Sequence, residues 1–316
     1  MKTKINISKN SKILITGGNG FLGQYLVAEF RRKTPARLYT PTSKEYDFRN
    51  RTACRKAVSG MDIVVHLAAK VGGIGYNREH PAEMFHDNIM MGVQLLDEAW
   101  KAGVKKFVAL GTICCYPKFT PVPFKEEDLW NGYPEETNAP YGLAKKMLLV
   151  QAQAYRTQYK FNAIFILPVN MYGPGDNFNP DSSHVIPALV KKFVDARKHG
   201  DSEVVVWGTG KATREFLYVE DSARAIVAAT RYYDRPEPVN IGAGFEISIR
   251  ELAEKIRKIS GFRGKLVWDK TKPDGQPRRM LNTTKAQKEF GFTAKTSFDL
   301  GLKKTVAYYE KTSASV

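Results

Sequence analysis

The chain is 316 residues long, with 43% hydrophobic and 26% charged residues, a composition that folds around a core and excludes wholesale disorder and low-complexity scaffolding. Length alone predicts two domains, or one large α/β unit with an appended lobe. Lysine and arginine number 49 against 32 acidic residues, a formal net charge of +17, so nucleic acid, an anionic membrane and anionic small substrates all enter as partner classes.

The distribution of charge separates these classes. Basic residues fall in scattered pairs, Arg31-Arg32, Lys105-Lys106, Lys145-Lys146, Lys191-Lys192 and Arg278-Arg279, not in a basic arm or a helix interleaved with aromatics, which weighs against nucleic acid. A diffuse positive field steers diphosphate-bearing molecules, although a lysine-rich solvated surface gives the same count. There is no apolar run long enough to span a bilayer, and Met1-Lys2-Thr3-Lys4 leads into a strand-like segment, not a signal-peptide core; a cytoplasmic protein without a membrane partner is expected. Cys54, Cys114 and Cys115 form neither a disulfide framework nor a metal-ligand spacing, which fits a reducing compartment and predicts no metal.

In chain order, Lys12–Thr16 is a short β-branched strand, and Gly17-Gly18-Asn19-Gly20-Phe21-Leu22-Gly23 leads into a helix over residues 24–33. A weak strand over 36–40 and a buried strand over 62–67 follow. Pro81–Lys101 carries Met84, Asn88, Met91, Leu95 and Ala99 at helical spacing behind a first-turn proline. Residues 105–110 read as a strand, 139–158 as a long helix and 161–167 as the next strand. This βα alternation predicts a Rossmann-type doubly wound parallel sheet over residues 1–168 with right-handed crossovers.

After Pro168 the texture changes: residues 170–187 are rich in Pro, Gly, Asn and Asp, the mark of a long loop leaving the sheet. Glu203–Trp207 reads as a strand, Val219–Tyr232 as a helix and residues 239–242 as a strand returning to the main sheet. Ser248 with Glu251 has capping-box spacing at the head of a helix that runs to about Ile259. The expected architecture is therefore α/β with a smaller interleaved C-terminal substrate-binding lobe over 169–316, and a returning segment near 216–243.

Glycines at Gly17, Gly20 and Gly23, at the first strand-to-helix turn, permit a tight turn, close approach of backbone N–H groups to a pyrophosphate and close helix packing. With Phe21 and Leu22 they form the expected dinucleotide-binding turn. Past the second strand, where an NAD enzyme places an acid on the ribose, the chain offers Thr40-Pro41-Thr42-Ser43-Lys44. Ser43 and Lys44 then favour NADPH/NADP, and Glu45 is the alternative ribose ligand. Tyr141 and Lys145, at i and i+4, share one helix face, where an ammonium would lower the pKa of a phenol that exchanges a proton with a carbonyl or alcohol. A strand reading Gly111-Thr112-Ile113-Cys114 precedes them, and its hydroxyl could hold the carbonyl.

The Gly17/Gly20/Gly23 turn, His66-Leu67-Ala68-Ala69, Asn88, Thr112 and the Tyr141/Lys145 pair together resemble the extended short-chain dehydrogenase/reductase family of nucleotide-sugar enzymes, over almost the whole chain. More narrowly, Ala69 to Ile74, Cys114-Cys115-Tyr116-Pro117-Lys118, Asn170-Met171-Tyr172-Gly173-Pro174, Ser183-His184-Val185-Ile186-Pro187, Val206-Trp207-Gly208, Arg214-Glu215-Phe216 and Pro273-Asp274-Gly275 are similar to the GDP-L-fucose synthase group. The resemblance implies epimerisation at C3 and C5, then NADPH-dependent reduction at C4, of GDP-4-keto-6-deoxy-D-mannose. Its nearby alternative is an enzyme like GDP-mannose 3,5-epimerase, or one that only reduces another GDP-sugar. A third reading, of another class, is a dehydrogenase scaffold that binds nucleic acid or serves a structural role.

A 4-ketone acidifies the hydrogens on C3 and C5, and inversion needs one group to remove a proton and another to return it. By strand alternation Cys114 shares the face of Thr112 and Cys115 points away. The resemblance implies Cys114 as the epimerisation base and His184 as the acid; the alternatives are a small buried hydrophobe and a hydrogen-bonded structural histidine. It further implies that residues 110–113, beginning with Leu110, and Pro168, Asn170, Met171 and His184 line the cofactor. Lys145 binds it too, and Lys192, Trp207, Arg214 and Asp274 hold the GDP-sugar. Three departures stand out: Lys192 where the group tends to have arginine, Thr112 where it usually has serine, and Ser43 where an arginine commonly meets the NADP 2′-phosphate. The resemblance also implies a homodimer through a four-helix interface of Pro81–Lys101 and residues 139–158.

Overall fold

The computed structural model describes residues 5–272 and 274–313. The polar lead-in over residues 1–4 and Pro273 of the Pro-Asp-Gly string lie outside the described residues. Strand β1 (Lys12–Thr16) is buried along its last four residues and runs into the glycine turn and α1 (Phe21–Lys33). That helix turns Leu22, Gly23, Leu26 and Phe30 inward and places Arg31, Arg32 and Lys33 in its last turn, where cations complement the helix dipole. β2 (Arg37–Tyr39) precedes α2 (Arg51–Val58), whose first turn is capped by the Asn50 side chain. β3 (Ile63–His66), the short α3 (Ile74–Glu79), the long α4 (Pro81–Lys101), β4 (Lys106–Leu110), α5 (Ala139–Tyr159) and β5 (Ala163–Pro168) complete this half.

The second half alternates short strands with helices. β6 (Asn170–Tyr172) leads to α6 (Val185–His199), β7 (Glu203–Trp207), β8 (Thr213–Arg214), β9 (Phe216–Tyr218), α7 (Val219–Tyr232) and β10 (Val239–Ile241). Then come β11 (Ile247–Ser248), α8 (Ile249–Ser260), β12 (Lys265–Asp269), β13 (Arg278–Arg279), α9 (Thr284–Phe290) and α10 (Phe298–Thr312). Ser248 and Glu251 form the reciprocal capping box at the head of α8. The two-residue strands and α9 carry too little periodicity to be read from sequence, because each is defined by its partner.

Six strands form one sheet in the order β10-β5-β4-β3-β1-β2, every pair parallel. This is the expected Rossmann-like α/β fold. The winding reverses between β1 and β3, which lie side by side with Thr16 opposite His66, and in open α/β sheets the crevice at such a reversal receives ligands. One hydrophobic core surrounds this sheet and also takes in Val219, Ile226, Val239, Ile241, Leu281 and Phe290. A second core gathers Tyr172, Val190, Phe193, Leu252, Ile256, Leu302 and Val306 between α6, α8 and α10. Among the described residues no helix is long and apolar enough to cross a membrane.

Two buried ionisable groups brace this architecture. Glu215 accepts backbone N–H bonds from Ala243 (2.6 Å), Gly244 (2.7 Å) and Leu281 (2.7 Å); burial nevertheless pushes its pKa up to about 7. Lys106, 1% exposed at the start of β4, donates to the Tyr233 carbonyl at 2.5 Å, and burial lowers its pKa from 10.5 to about 8. Between those two values the unfolded chain binds more protons than the folded one, so Lys106 makes stability rise with pH across that window. Urea unfolding from pH 8 to 10 should therefore show a shallower rise for Lys106→Met than for the wild type, by up to ~1.4 kcal/mol per pH unit.

Candidate active site

The glycine turn is built for close approach. Gly17 has φ +69°, and a Cβ there would stand 3.0 Å from the Ala68 backbone nitrogen; a Cβ on Gly23 would stand 2.6 Å from Gly18 Cα and closer still to the Gly17 carbonyl. The turn closes through the Gly20 N–H to Gly17 carbonyl bond of 3.0 Å, and α1 begins at Phe21 with its free N–H groups facing the turn. Leu22 packs into the sheet core, whereas Phe21 meets Tyr25 edge-on at the core's margin. This cradle fits a dinucleotide pyrophosphate, because only glycine at 17 and 23 keeps the turn closed tightly against Ala68 and the start of α1. Ser43 and Lys44 are exposed beyond β2, in a turn closed by Glu45, whose carboxylate accepts from Thr42 N (2.7 Å) and Oγ1 (2.8 Å). The alternative ribose ligand is thus bonded within its own turn.

The sheet's carboxyl edge carries the next groups. Leu110 ends β4, Pro168 ends β5, and Asn170 and Met171 open β6. Thr16 Oγ1 accepts from the Ala68 N–H at 3.1 Å and bonds His66 Nδ1 at 2.8 Å. Burial first, then Lys145, lowers the His66 pKa and keeps the ring neutral. Asn88 ties down the following loop by accepting from Lys70 N (3.0 Å) and donating to the Lys70 (2.9 Å) and Met84 (2.7 Å) carbonyls.

One sequence expectation is corrected here. Thr112 and Cys114 do not share a strand: β4 stops at Leu110 and residues Ile113–Cys115 form a 3₁₀ turn. Thr112 causes the break, since its Oγ1 accepts from Cys114 N (3.2 Å) and its carbonyl from Cys115 N (3.1 Å), a local bond pattern that competes with the sheet ladder. The turn still separates the two thiols. Cys115 is fully buried against the Gly142 carbonyl at 3.3 Å, with its pKa pushed up to about 12 by burial. Cys114 is partly exposed, and its sulfur faces Asn138 Oδ1 and Arg279 Nη1, each at 3.8 Å.

Helix α5 presses onto this turn at Gly142, where a Cβ would stand 2.8 Å from the Cys114 carbonyl carbon, and so sets Tyr141 beside the thiols. The expected lowering of the Tyr141 pKa is reversed: burial first, then Cys114 and Cys115, raise it. Burial also lowers Lys145, 2% exposed, from 10.5 to about 8. Desolvation outweighs the i,i+4 attraction that sequence spacing implies. Lys146, its neighbour, turns to the opposite task, bonding the Leu129 carbonyl and lying 4.1 Å over the Trp130 ring.

The second lobe closes the cleft. The Gly73 N–H bonds the Ser182 carbonyl at 3.1 Å, and a Cβ on Gly73 would stand 2.7 Å from the Ser183 carbonyl oxygen, so the loop after β3 supports the segment leading to His184. His184 heads α6 at an exposed position, and desolvation by the surrounding protein lowers its pKa. Lys192 donates to the Val205 carbonyl (2.9 Å) and lies 6.0 Å from the centre of the exposed Trp207 ring. Arg214 is 9% exposed, bonds the Asp274 carbonyl at 3.2 Å, and is lowered to about 10 by burial and then by Arg279. The Asp274 carboxylate accepts from Thr209 N (2.7 Å) and Oγ1 (2.6 Å), so it braces the turn after Trp207.

Asn77, Glu135, Asn138, Gln276 and Arg279 also belong to this cleft and were missed. Nothing local in the sequence distinguishes Arg279 from Arg278, which points away and pairs with Glu246 at 2.6 Å.

The model of the "NAD dependent epimerase/dehydratase family" matches residues 13–242. The chain belongs to that family. Among proteins of the family's nucleotide-sugar kind, GDP-L-fucose synthase 1 of Arabidopsis thaliana is 41% identical over 305 residues, 96% of this chain and 94% of that protein. GDP-L-fucose synthase of Escherichia coli is 35% identical over 309 residues, 94% of this chain and 96% of its own length. The crystal structure of a GDP-L-fucose synthetase from Naegleria fowleri bound to NADP superposes with a TM-score of 0.90 at 28% identity, covering 100% of this chain and 99% of that one.

For this family member, Gly23→Ala should weaken NADPH binding about tenfold or more, the equivalent of an overpacking cost of about 1–3 kcal/mol. Titration of cofactor fluorescence on binding measures it.

Proposed function

We propose that the protein converts GDP-4-keto-6-deoxy-D-mannose to GDP-L-fucose, by epimerisation at C3 and C5 and NADPH-dependent reduction at C4. The observation that carries this reading is the partly exposed Cys114 sulfur set in one cleft with Tyr141, beside a buried twin that cannot serve. A plain reductase needs the tyrosine; inversion needs a further group that removes a proton from carbon, and Cys114 is placed to be it. The names of the Arabidopsis and Escherichia relatives support the reading.

The cofactor's contacts fall to Gly17, Gly20, Phe21, Leu22, Gly23, Ser43, Lys44, Leu110, Lys145, Pro168, Asn170, Met171 and His184. NADPH, when bound, supplies the hydride for C4. Cys114 takes a proton from carbon next to the ketone as a thiolate and becomes a thiol, and His184 returns a proton to the opposite face. Tyr141, held neutral by burial, protonates the C4 oxygen that Thr112 bonds, and Lys145 compensates the phenolate left behind. Lys192, Trp207 and Arg214 hold the nucleotide, with cations for the diphosphate and an aromatic face for the base. Asp274 holds Arg214 and the turn after Trp207 in place.

The same reading divides the chain into a cofactor-binding part, residues 1–168 with a returning segment near 216–243, and a mainly substrate-binding part over 169–316. It makes the protein a cytoplasmic enzyme, in keeping with three free cysteines, and a homodimer. Helices α4 and α5 pack side by side, Leu143, Met147, Val150 and Ala154 recur along one stripe of α5, and Phe85 of α4 is exposed. A second copy would cover that stripe. Analytical ultracentrifugation should return a dimer for the wild type and a shift toward monomer for Val150→Glu.

The decisive reaction is run in D₂O with GDP-4-keto-6-deoxymannose and NADPH, following cofactor absorbance and product NMR. Deuterium at C3 and C5 of GDP-L-fucose is expected, and Cys114→Ser should oxidise NADPH while losing that deuterium. NADPH consumption without deuterium in the wild type would make the enzyme a C4 reductase.

A further inference from the structure

Arg279 is 8% exposed, and among the described residues no carboxylate pairs with it. A buried guanidinium without an anion is costly unless a charge forms nearby. Its Nη1 lies 3.8 Å from Cys114 Sγ, and the rest of the group is fixed. Nε donates to Gln276 Oε1 at 2.6 Å, Gln276 Nε2 donates to the Lys118 carbonyl at 2.6 Å, and the Arg279 carbonyl accepts from Glu215 N at 3.0 Å. On the sulfur's other side Asn138 Oδ1 lies at 3.8 Å and also accepts from Asn77 Nδ2 at 3.4 Å, while Asn138 Nδ2 bonds Glu135. The sulfur thus sits between an acceptor suited to S–H and a cation suited to S⁻.

We propose that Arg279, seated by Gln276, is a positioning residue for epimerisation, holding the Cys114 sulfur in place and supplying the positive charge that its thiolate requires. The inference rests on the function proposed above. In the step it serves, the thiolate takes the proton from C3 or C5, the C–H electron pair passes into the enolate at the C4 oxygen, and Arg279 keeps all its protons. Among the described residues, the other charged or titratable groups around Cys114 are Arg214 from β8, Tyr141 from α5, the adjacent Cys115 and, behind Asn138, Glu135; Arg214 is turned to the Asp274 carbonyl, Glu135 bonds the Asn138 amide, and Tyr141 and Cys115 are neutral by burial.

The test does not depend on turnover. Cys54 and Cys115 are fully buried, so iodoacetamide labelling of the whole protein, mapped by mass spectrometry against pH, reads Cys114. Removing a cation at this distance in Arg279→Gln should slow labelling near neutral pH about tenfold, with Arg279→Lys in between and Gln276→Ala changed in the same direction as Arg279→Gln. In D₂O, deuterium uptake at C3 and C5 should fall more steeply in Arg279→Gln than NADPH oxidation does. Labelling of Arg279→Gln with the wild-type rate and pH profile would overturn the proposal. So would a raised KM for the GDP-sugar with the exchange rate at saturation unchanged, which would make Arg279 a diphosphate ligand. Arg279-dependent labelling in a wild type that takes up no deuterium would sink the epimerase reading and leave the Arg279–Cys114 pairing standing.

Discussion

The carboxylate of Glu215 accepts backbone N–H bonds from Ala243, Gly244 and Leu281, and through them it ties the end of β10 to the strands that carry Arg214 and Arg279. β10 is the edge strand of the parallel sheet, paired with β5, so its end is fixed by the large core. β8 and β13 belong to the smaller sheet. One buried acid therefore sets the second lobe's cations against the first lobe's cysteine. Three backbone donors offset the cost of burying it, and that balance explains a carboxyl raised to about 7 and no further.

On the other side of the cleft the constraint is steric. Glycines at 17, 23, 73 and 142 each leave room where a Cβ would meet backbone: Gly17 lets the glycine turn lie against Ala68 after β3, Gly23 lets α1 sit on that turn, Gly73 lets the loop after β3 support His184's segment, and Gly142 lets α5 seat Tyr141 on the cysteine turn. Small residues thus govern distances between groups far apart in the chain. Burial then sets the charges, leaving Tyr141 and His66 neutral and bringing Lys145 down to about 8. On the function proposed above, a phenol that delivers a proton and a lysine that adjusts to it suit carbonyl reduction near neutral pH.

On the function proposed above, reduction and inversion share one cleft because the turn after β4 carries groups for both. Thr112 caps the turn, Cys114 lies in its middle and is partly exposed, and Cys115 ends it in the core. Asn138 at the head of α5 and Arg279 from the second lobe then flank the exposed sulfur.

Much of this was legible in the sequence. The βα alternation, the glycine spacing at the first turn and the Tyr141/Lys145 interval depend on local periodicity and on backbone conformations that only certain residues adopt, and these are written in consecutive residues. The fate of each polar group was not. The broken strand at Thr112, the raised Tyr141, the self-bonded Glu45 and the braced Asp274 depend on which backbone groups lie within hydrogen-bond reach and on how far water is excluded. The separate fates of Arg278 and Arg279 make the same point: identical side chains one residue apart, one paired with Glu246 at the surface and one buried beside Cys114. The sequence by itself determined the fold class and the chemical inventory. Tertiary structure alone decided which members of that inventory are buried, paired or aimed at one another, because burial and long-range pairing arise from contacts between segments distant in the chain.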